Sequence, residues 1–449
     1  MGVTTAVMGL AVLGLWALVA PAGSLHAADD GIVRLAVAGR PSQEPGLAVL
    51  GQTVAVAWAA GSGSAADLYV AVSQDGGRTF GRPVRANDRP GTVRGGAEQA
   101  PRIALSAAPG AAGPPSVTVV WNGREPASVV RMARSTDGGL TFAPSHSLAG
   151  PKAQGNRGWA SLAVDARGAA HAIWLDHRGS AGDGTAGHHA HATDAAPAHH
   201  QAGAAPRTGG DASAESVAKA QKSGLYYASV LPGGAGPARS VAAGVCYCCK
   251  TALATRTVGG RALLVAAWRH VYPGNFRDMA TAQSVDGGVT FSAPARVSED
   301  GWQLDGCPED GPSVSIDGGG TMHLLWPTVV QAGEPYKALF YASRRDSAWT
   351  PRLQVTGAGL NVAHPSLAVA DDGSALAVWD QLGKGPRTIQ MSVRTVGGRG
   401  FAAPRQVSGT ATARYPVVAW RDARTALVAW REGEGAGTRI AVEVVSSPN

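Results

Sequence analysis

Charge is scarce in this 449-residue chain: Asp, Glu, Lys and Arg make up 16% of it, and only six of its 39 basic residues are lysines. No run of five or more basic residues occurs, and no basic amphipathic helix pattern. The formal charge of +7 therefore reads as a basic surface that favours anionic ligands, and nucleic acid is not expected as a partner. Long stretches with the 3.6-residue helical period are missing, which excludes a helical bundle. Beyond the N-terminal 20 residues no segment is apolar enough to cross a membrane. Cysteine is rarer still, with four residues.

Abundant instead are 61 glycines and 28 prolines, the composition of many short strands joined by many turns. At the N-terminus, Ala6 to Ala20 is apolar and uncharged, and small residues follow in Pro21-Ala22-Gly23-Ser24 and then Ala27-Ala28, before the first acids, Asp29 and Asp30. This pattern predicts a signal peptide over residues 1–27 and a secreted or periplasmic chain with no membrane span after cleavage.

Three segments nearly coincide: Ser73-Gln-Asp75-Gly-Gly-Arg-Thr79-Phe80, Ser135-Thr-Asp137-Gly-Gly-Leu-Thr141-Phe142 and Ser284-Val-Asp286-Gly-Gly-Val-Thr290-Phe291. Each follows an alternating strand. The expected unit is a turn in which Asp folds the chain with its own side chain, the Gly pair supplies positive φ, and the aromatic plugs the sheet. A second pattern, an apolar strand, a turn and a strand ending in Trp, recurs from near Pro45, Pro101, Ser161, Thr251, Pro312, Pro365 and Pro416. Its period of about 50–60 residues suits propeller blades.

The Ser-x-Asp-x-Gly-x-Thr-aromatic turn resembles the Asp-box of the sialidase (neuraminidase) superfamily of β-propellers. The resulting expectation is an all-β chain, a β-propeller of four-stranded antiparallel blades over residues 30–447, with seven blades preferred and six the alternative. The seventh unit shows only three strands, and Ile32 to Val37 is expected to supply its fourth and close the ring. Residues 179–222, rich in Ala, Gly and His, interrupt the third unit between its second and third strands and read as a loosely ordered loop. His188, His189 and His191 within it are candidate ligands for divalent metal.

The cysteines form two groups, Cys246, Cys248 and Cys249, and then Cys307, each just before the innermost strand of adjacent units. Structural disulfides are one reading, with Cys307 joined to one of the first three. A soft-metal site for copper or zinc is the other.

Polar residues just before the innermost strands are the candidates to line the central opening. They include Glu98, Gln99, Arg102, Arg157, Trp159, Lys250, Asp305, Glu309, Asp310, His364, Arg414 and Tyr415, with Arg269, His270, Arg277 and Asp278 from loops after second strands. The resemblance implies a particular use for some of them. In that superfamily three arginines clamp a substrate carboxylate, a Tyr–Glu pair supplies the nucleophile and an Asp moves a proton. Candidates for these roles are Arg102, Arg269, Arg277 and Arg414 for the clamp, Tyr415 with Glu98 or Glu309, and Asp278 or Asp310. The superfamily's aromatic-Arg-Ile-Pro signature is reduced here to Pro101-Arg102-Ile103, without the aromatic or the second Pro. Three functions stay open: recognition or hydrolysis of an anionic glycan, soft-metal binding, and a protein-interaction scaffold. A monomer is expected.

Overall fold

The computed structural model describes residues 25–28, 30–61, 66–96, 99–107, 110, 113–125, 127–150, 155–180, 210–231, 233–304, 308, 310–331 and 333–446. Seven antiparallel sheets of four principal strands follow one another in chain order. Their innermost strands are Ser42–Leu50, Arg102–Ser106, Arg157–Val164, Ala252–Val258, Ser313–Ile316, Asn361–Val369 and Ala413–Asp422. Each innermost strand contacts the next and the last returns to the first, so the sheets form a seven-bladed propeller.

The second strand of every blade is enclosed by neighbouring blades on both faces and carries one buried tryptophan. These are Trp58, Trp121, Trp174, Trp268, Trp326, Trp379 and Trp430, all at most 2% exposed. A strand covered on both sides reads as a near-continuous apolar run, as in Thr53–Ala60, where every residue is buried. Each indole adds a large apolar area to the contact between blades, where most of the fold's hydrophobic stabilisation arises.

Closure follows the expected route. Val33–Leu35 pairs with Arg439–Ser446, placing Leu35 opposite Ile440. The N-terminal strand thus completes the seventh blade and covers the open edge of Arg439–Ser446.

The three repeated turns share one hydrogen-bond scheme. In the first, Ser73 Oγ donates to Asp75 Oδ1 (2.7 Å) and accepts from Gly77 N (2.9 Å), while Asp75 accepts from Thr79 N (2.9 Å) and Thr79 Oγ1 (2.6 Å). The Asp137 and Asp286 turns repeat it. The second glycine also serves packing: a Cβ on Gly139, at φ 93°, would sit 2.8 Å from Val72 Cγ2 of the preceding blade. The turn therefore seats one blade on its neighbour.

The insertion does lie between the second and third strands of blade 3, Ala170–Asp176 and Gly224–Leu231. Its final part is a helix, Gly210–Gln221, where a loose loop was expected. Alanine-rich sequence favours the helix, and Ala220, fully buried against Cys246, Cys248 and Cys249, anchors it. His188, His189 and His191 lie outside the described residues, as do Glu98, Asp305, Cys307, Glu309 and residues 1–24 of the expected signal peptide. Among the described residues no helix is long and apolar enough to cross a membrane.

Candidate functional site

The innermost strands start at one end of the channel, and backbone irregularities concentrate there. Four of these strands are bulged near their starts, between Ser42 and Pro45, Gly158 and Ser161, Ala363 and Ser366, and Arg414 and Val417. A bulge adds a residue to one strand and re-aims the side chains around it. In three of the four a non-glycine residue takes the left-handed conformation: Trp159 (φ 50°), His364 (φ 53°) and Tyr415 (φ 57°). For bulky side chains this costs about 1–3 kcal/mol each and persists only when the surroundings enforce it. His364 and Tyr415 also precede prolines, which ordinarily hold the preceding residue extended.

These strained residues meet. The rings of His364 and Tyr415 lie with centroids 4.1 Å apart. Together with Glu44, Arg102, Lys250 and Pro416 they line one recess at the start of the channel. Arg431 stands with its guanidinium 5.1 Å from the Tyr415 ring centroid.

Two buried carboxylates hold the pair from below. Asp380, with no exposed side-chain surface, accepts from His364 Nδ1 (2.5 Å), Arg387 Nη1 (2.5 Å) and the Tyr415 amide (2.9 Å). Burial works to raise the Asp380 carboxyl, but the His364 and Arg387 charges and the Tyr415 amide outweigh it and hold it below its ordinary value. Asp310 accepts from Lys337 Nζ (2.9 Å) and the His364 amide (3.3 Å). Burial opposes its ionisation too, and Lys337, His364 and Lys250 again win. Lys250 Nζ donates to Pro365 O at 3.1 Å, so residues from blades 4, 5, 6 and 7 are tied into one assembly.

Several residues expected at the opening are used elsewhere. Arg269 is buried, donates to the carbonyls of Arg277 and Pro327 (both 2.8 Å) and lies over Trp302. Burial pushes it down to about 10. Arg277, fully buried, donates to Asn275 Oδ1 (3.1 Å), Ser216 Oγ (2.7 Å) and Cys246 Sγ (3.4 Å), joining the insertion helix to the cysteines. Asp278, also buried, pairs with Arg296. These three side chains do not reach solvent. Arg157 is likewise buried, against Asp176. Arg102 and Tyr415 do line the recess. Arg414 precedes Tyr415 on the same strand, and burial first, then the Arg387 charge, pushes its guanidinium down.

Cys246 and Cys249 form a disulfide with Cα atoms 5.7 Å apart, and Cys248 is disulfide-bonded as well. The sulfur atoms of Cys246, Cys248 and Cys249 all lie within 4.8 Å of one another, buried beneath the insertion helix.

Sequence reading placed His364 and Lys250 at the opening but did not single out Asp380, Arg387 or Lys337. The sequence does carry a signal for the bulges themselves. Pro follows Glu44, His364 and Tyr415 alike at the starts of innermost strands, a repeated x-Pro step that marks the bulges.

No protein-family model matches the chain, and no curated protein matches it. Among solved structures it is similar to an ulvan lyase of a new polysaccharide lyase family, described bound to -[GlcA(1-4)Rha3S]-. The identity is 11% and the TM-score 0.54, over 91% of this chain and 94% of that one. Polysaccharide lyase Uly1 aligns at 11% identity and TM-score 0.52, over 90% of each chain. The Hadza microbial sialidase Hz136 aligns at 15% identity and TM-score 0.46, over 86% of this chain and 74% of its own. At these identities the lyase likenesses show the propeller fold.

Proposed function

We propose that this chain is an exported, carbohydrate-active propeller that takes an acidic glycan at the His364–Tyr415 recess. The observation that carries the reading is the convergence of Arg102, Lys250, His364 and Tyr415 on one opening, where His364 and Tyr415 sit on backbone held in a costly conformation. Cations of this kind recognise carboxylate or sulfate. An aromatic face beside them packs against a sugar ring. The likeness in fold to an ulvan lyase described bound to -[GlcA(1-4)Rha3S]- supports this reading. The apolar segment from Ala6 to Ala20 and the oxidised Cys246–Cys249 pair agree with export.

Titration calorimetry against matched acidic and neutral oligosaccharides tests the reading. Acidic ligands are expected to bind, more weakly at high salt and at least tenfold more weakly to Lys250→Ala, a loss of about 1.4 kcal/mol. Equal binding of the neutral counterparts, or no binding of any acidic glycan, removes it.

A second reading rests on the three convergent sulfur atoms. Reduced, Cys246, Cys248 and Cys249 would offer a thiolate set suited to Cu(I) or Zn(II). Metal content and thiol count on untagged protein, purified with and without a reductant, test it. Metal-free protein in both preparations ends it.

A further inference from the structure

We infer that Arg94 and Arg124 form a second oxyanion subsite beside the recess, which takes a further carboxylate or sulfate of the same glycan and so selects chains that carry repeated acidic groups. This deepens the reading of the recess as an acidic-glycan site and rests on it. The placement follows from the register of blade 2. Its second strand, Ser116–Arg124, pairs without interruption with the third, Ser128–Ser135, so Val120, Asn122 and Arg124 share one face. Arg102 lies opposite Val120, and Arg94 lies opposite Asn122. Side chains directly across an antiparallel pair also share a face. Three arginines therefore stand on one face of blade 2, at steps of about 7 Å along the strand direction. Val120 packs with Ala160, Ala172 and Trp174, so this face is turned toward blade 3. Arg102 lines the recess, and exposure rises outward from it, through partly buried Arg94 to exposed Arg124.

The backbone around Arg94 is held firmly while its charge goes unspent. Gly95 and Gly96 seat the chain on blade 1: a Cβ on Gly95 would sit 1.9 Å from Gln43 Oε1, and the Gly96 amide donates to Glu44 Oε2 at 3.1 Å. Glu44 also lines the recess, so two residues of backbone join Arg94 to it. Among the described residues the Arg94 guanidinium makes no hydrogen bond and no ion pair, and burial first, then the like charge of Arg124, pushes it down. Acids on the flanking elements are already committed. Glu125 accepts from Arg89 (2.8 Å) and Arg131 (2.7 Å), and Asp176 on blade 3 accepts from Arg157 (3.0 Å) and Arg178 (2.6 Å). Two like charges, one of them without a counterion and partly removed from water, are relieved by a bound anion. A guanidinium offers parallel N–H groups that match a carboxylate or sulfate. Once one acidic group of a chain occupies the recess, the next is presented to Arg94 at high effective concentration.

The test titrates the full chain by calorimetry with two series, galacturonate and its linear trimer, and a carrageenan disaccharide and tetrasaccharide, which carry sulfate without uronate. Maltotriose is the neutral control for length. In wild type the longer acidic ligand of at least one series should bind about tenfold or more tightly than the shorter one, and salt should shrink that advantage. A gain in either series supports the inference and names the oxyanion. Arg94→Ala should erase most of the advantage, and Arg94→Lys should keep only part of it, because an ammonium lacks the planar fork. Both variants should unfold at the wild-type urea midpoint, since the Arg94 guanidinium bonds to nothing among the described residues. Lys250→Ala, in the recess, should weaken short and long ligands by the same factor. An advantage undiminished in Arg94→Ala, an equal loss on short and long ligands in that variant, or no gain with length in wild type overturns the inference and leaves the recess standing. If no acidic ligand of either series binds, or maltotriose binds as well as the acidic trimer, the recess reading falls and the inference with it.

Discussion

Leu35 lies opposite Ile440 across the seam of the ring, near one end of the chain and near the other. Its side chain is fully buried in a cluster that contains residues of both the first and the seventh blade, among them Trp58 and Leu427. The seam is therefore a packed interface as well as a hydrogen-bonded one.

Leu35→Ala is expected to lower stability by about 3 kcal/mol, the usual cost of emptying a buried leucine site. A replacement of exposed Leu50 by Ala should change little. Urea midpoints of the two variants check the contrast, and equal midpoints would show that the seam contributes little to stability.

The seven tryptophans are alike in burial but not in bonding. Trp326 Nε1 donates to Asp300 Oδ2 at 2.8 Å, while Trp58 Nε1 is buried with no hydrogen-bond partner among the described residues. Trp326→Phe should therefore destabilise by about 1–2 kcal/mol more than Trp58→Phe, because it removes a bond to a charged acceptor. Chemical denaturation of both variants measures the difference.

Asp380 and Asp310 tie the opening to acid stability. Their carboxyls are held low in the folded chain, so their stabilisation is complete above about pH 4, the ordinary Asp range. As pH falls below that, the unfolded chain binds protons first and stability drops. Asp380→Asn should be about 3–5 kcal/mol less stable at neutral pH, since it strands buried cations. Its stability should also fall less steeply between about pH 4 and pH 2. Unfolding midpoints against pH decide the matter, and parallel acid limbs for the two proteins would contradict it.

The Cys246–Cys249 disulfide closes a very short loop, so its removal costs little chain entropy. The paired variant Cys246→Ala with Cys249→Ala should lose about 2 kcal/mol. Arg277→Ala should cost more than that, because Arg277 joins Ser216 of the insertion helix to Asn275 and the Cys246 sulfur from full burial. Denaturation midpoints rank the two, and hydrogen exchange in Gly210–Gln221 should rise chiefly in Arg277→Ala.

Local rules carried the sequence a long way. The Asp75, Asp137 and Asp286 turns bond within a few residues of themselves, so their geometry is written in adjacent letters. The blade count was legible in the periodic strand starts, and one Trp per second strand records the same number. Closure by Val33–Leu35 followed from counting strands in the last unit, because a sheet edge demands a partner. What the tertiary structure alone decided is which polar residues share a space. Asp380 and His364 belong to the same blade, yet the bulge between Ala363 and Ser366 determines that they meet. Arg269 and Arg277 look like ligand clamps in sequence, and burial commits them to carbonyls, a hydroxyl and a sulfur instead. A guanidinium's letter gives its charge. Whether that charge faces solvent or the interior depends on how blades pack around it, and that is a property of the closed ring.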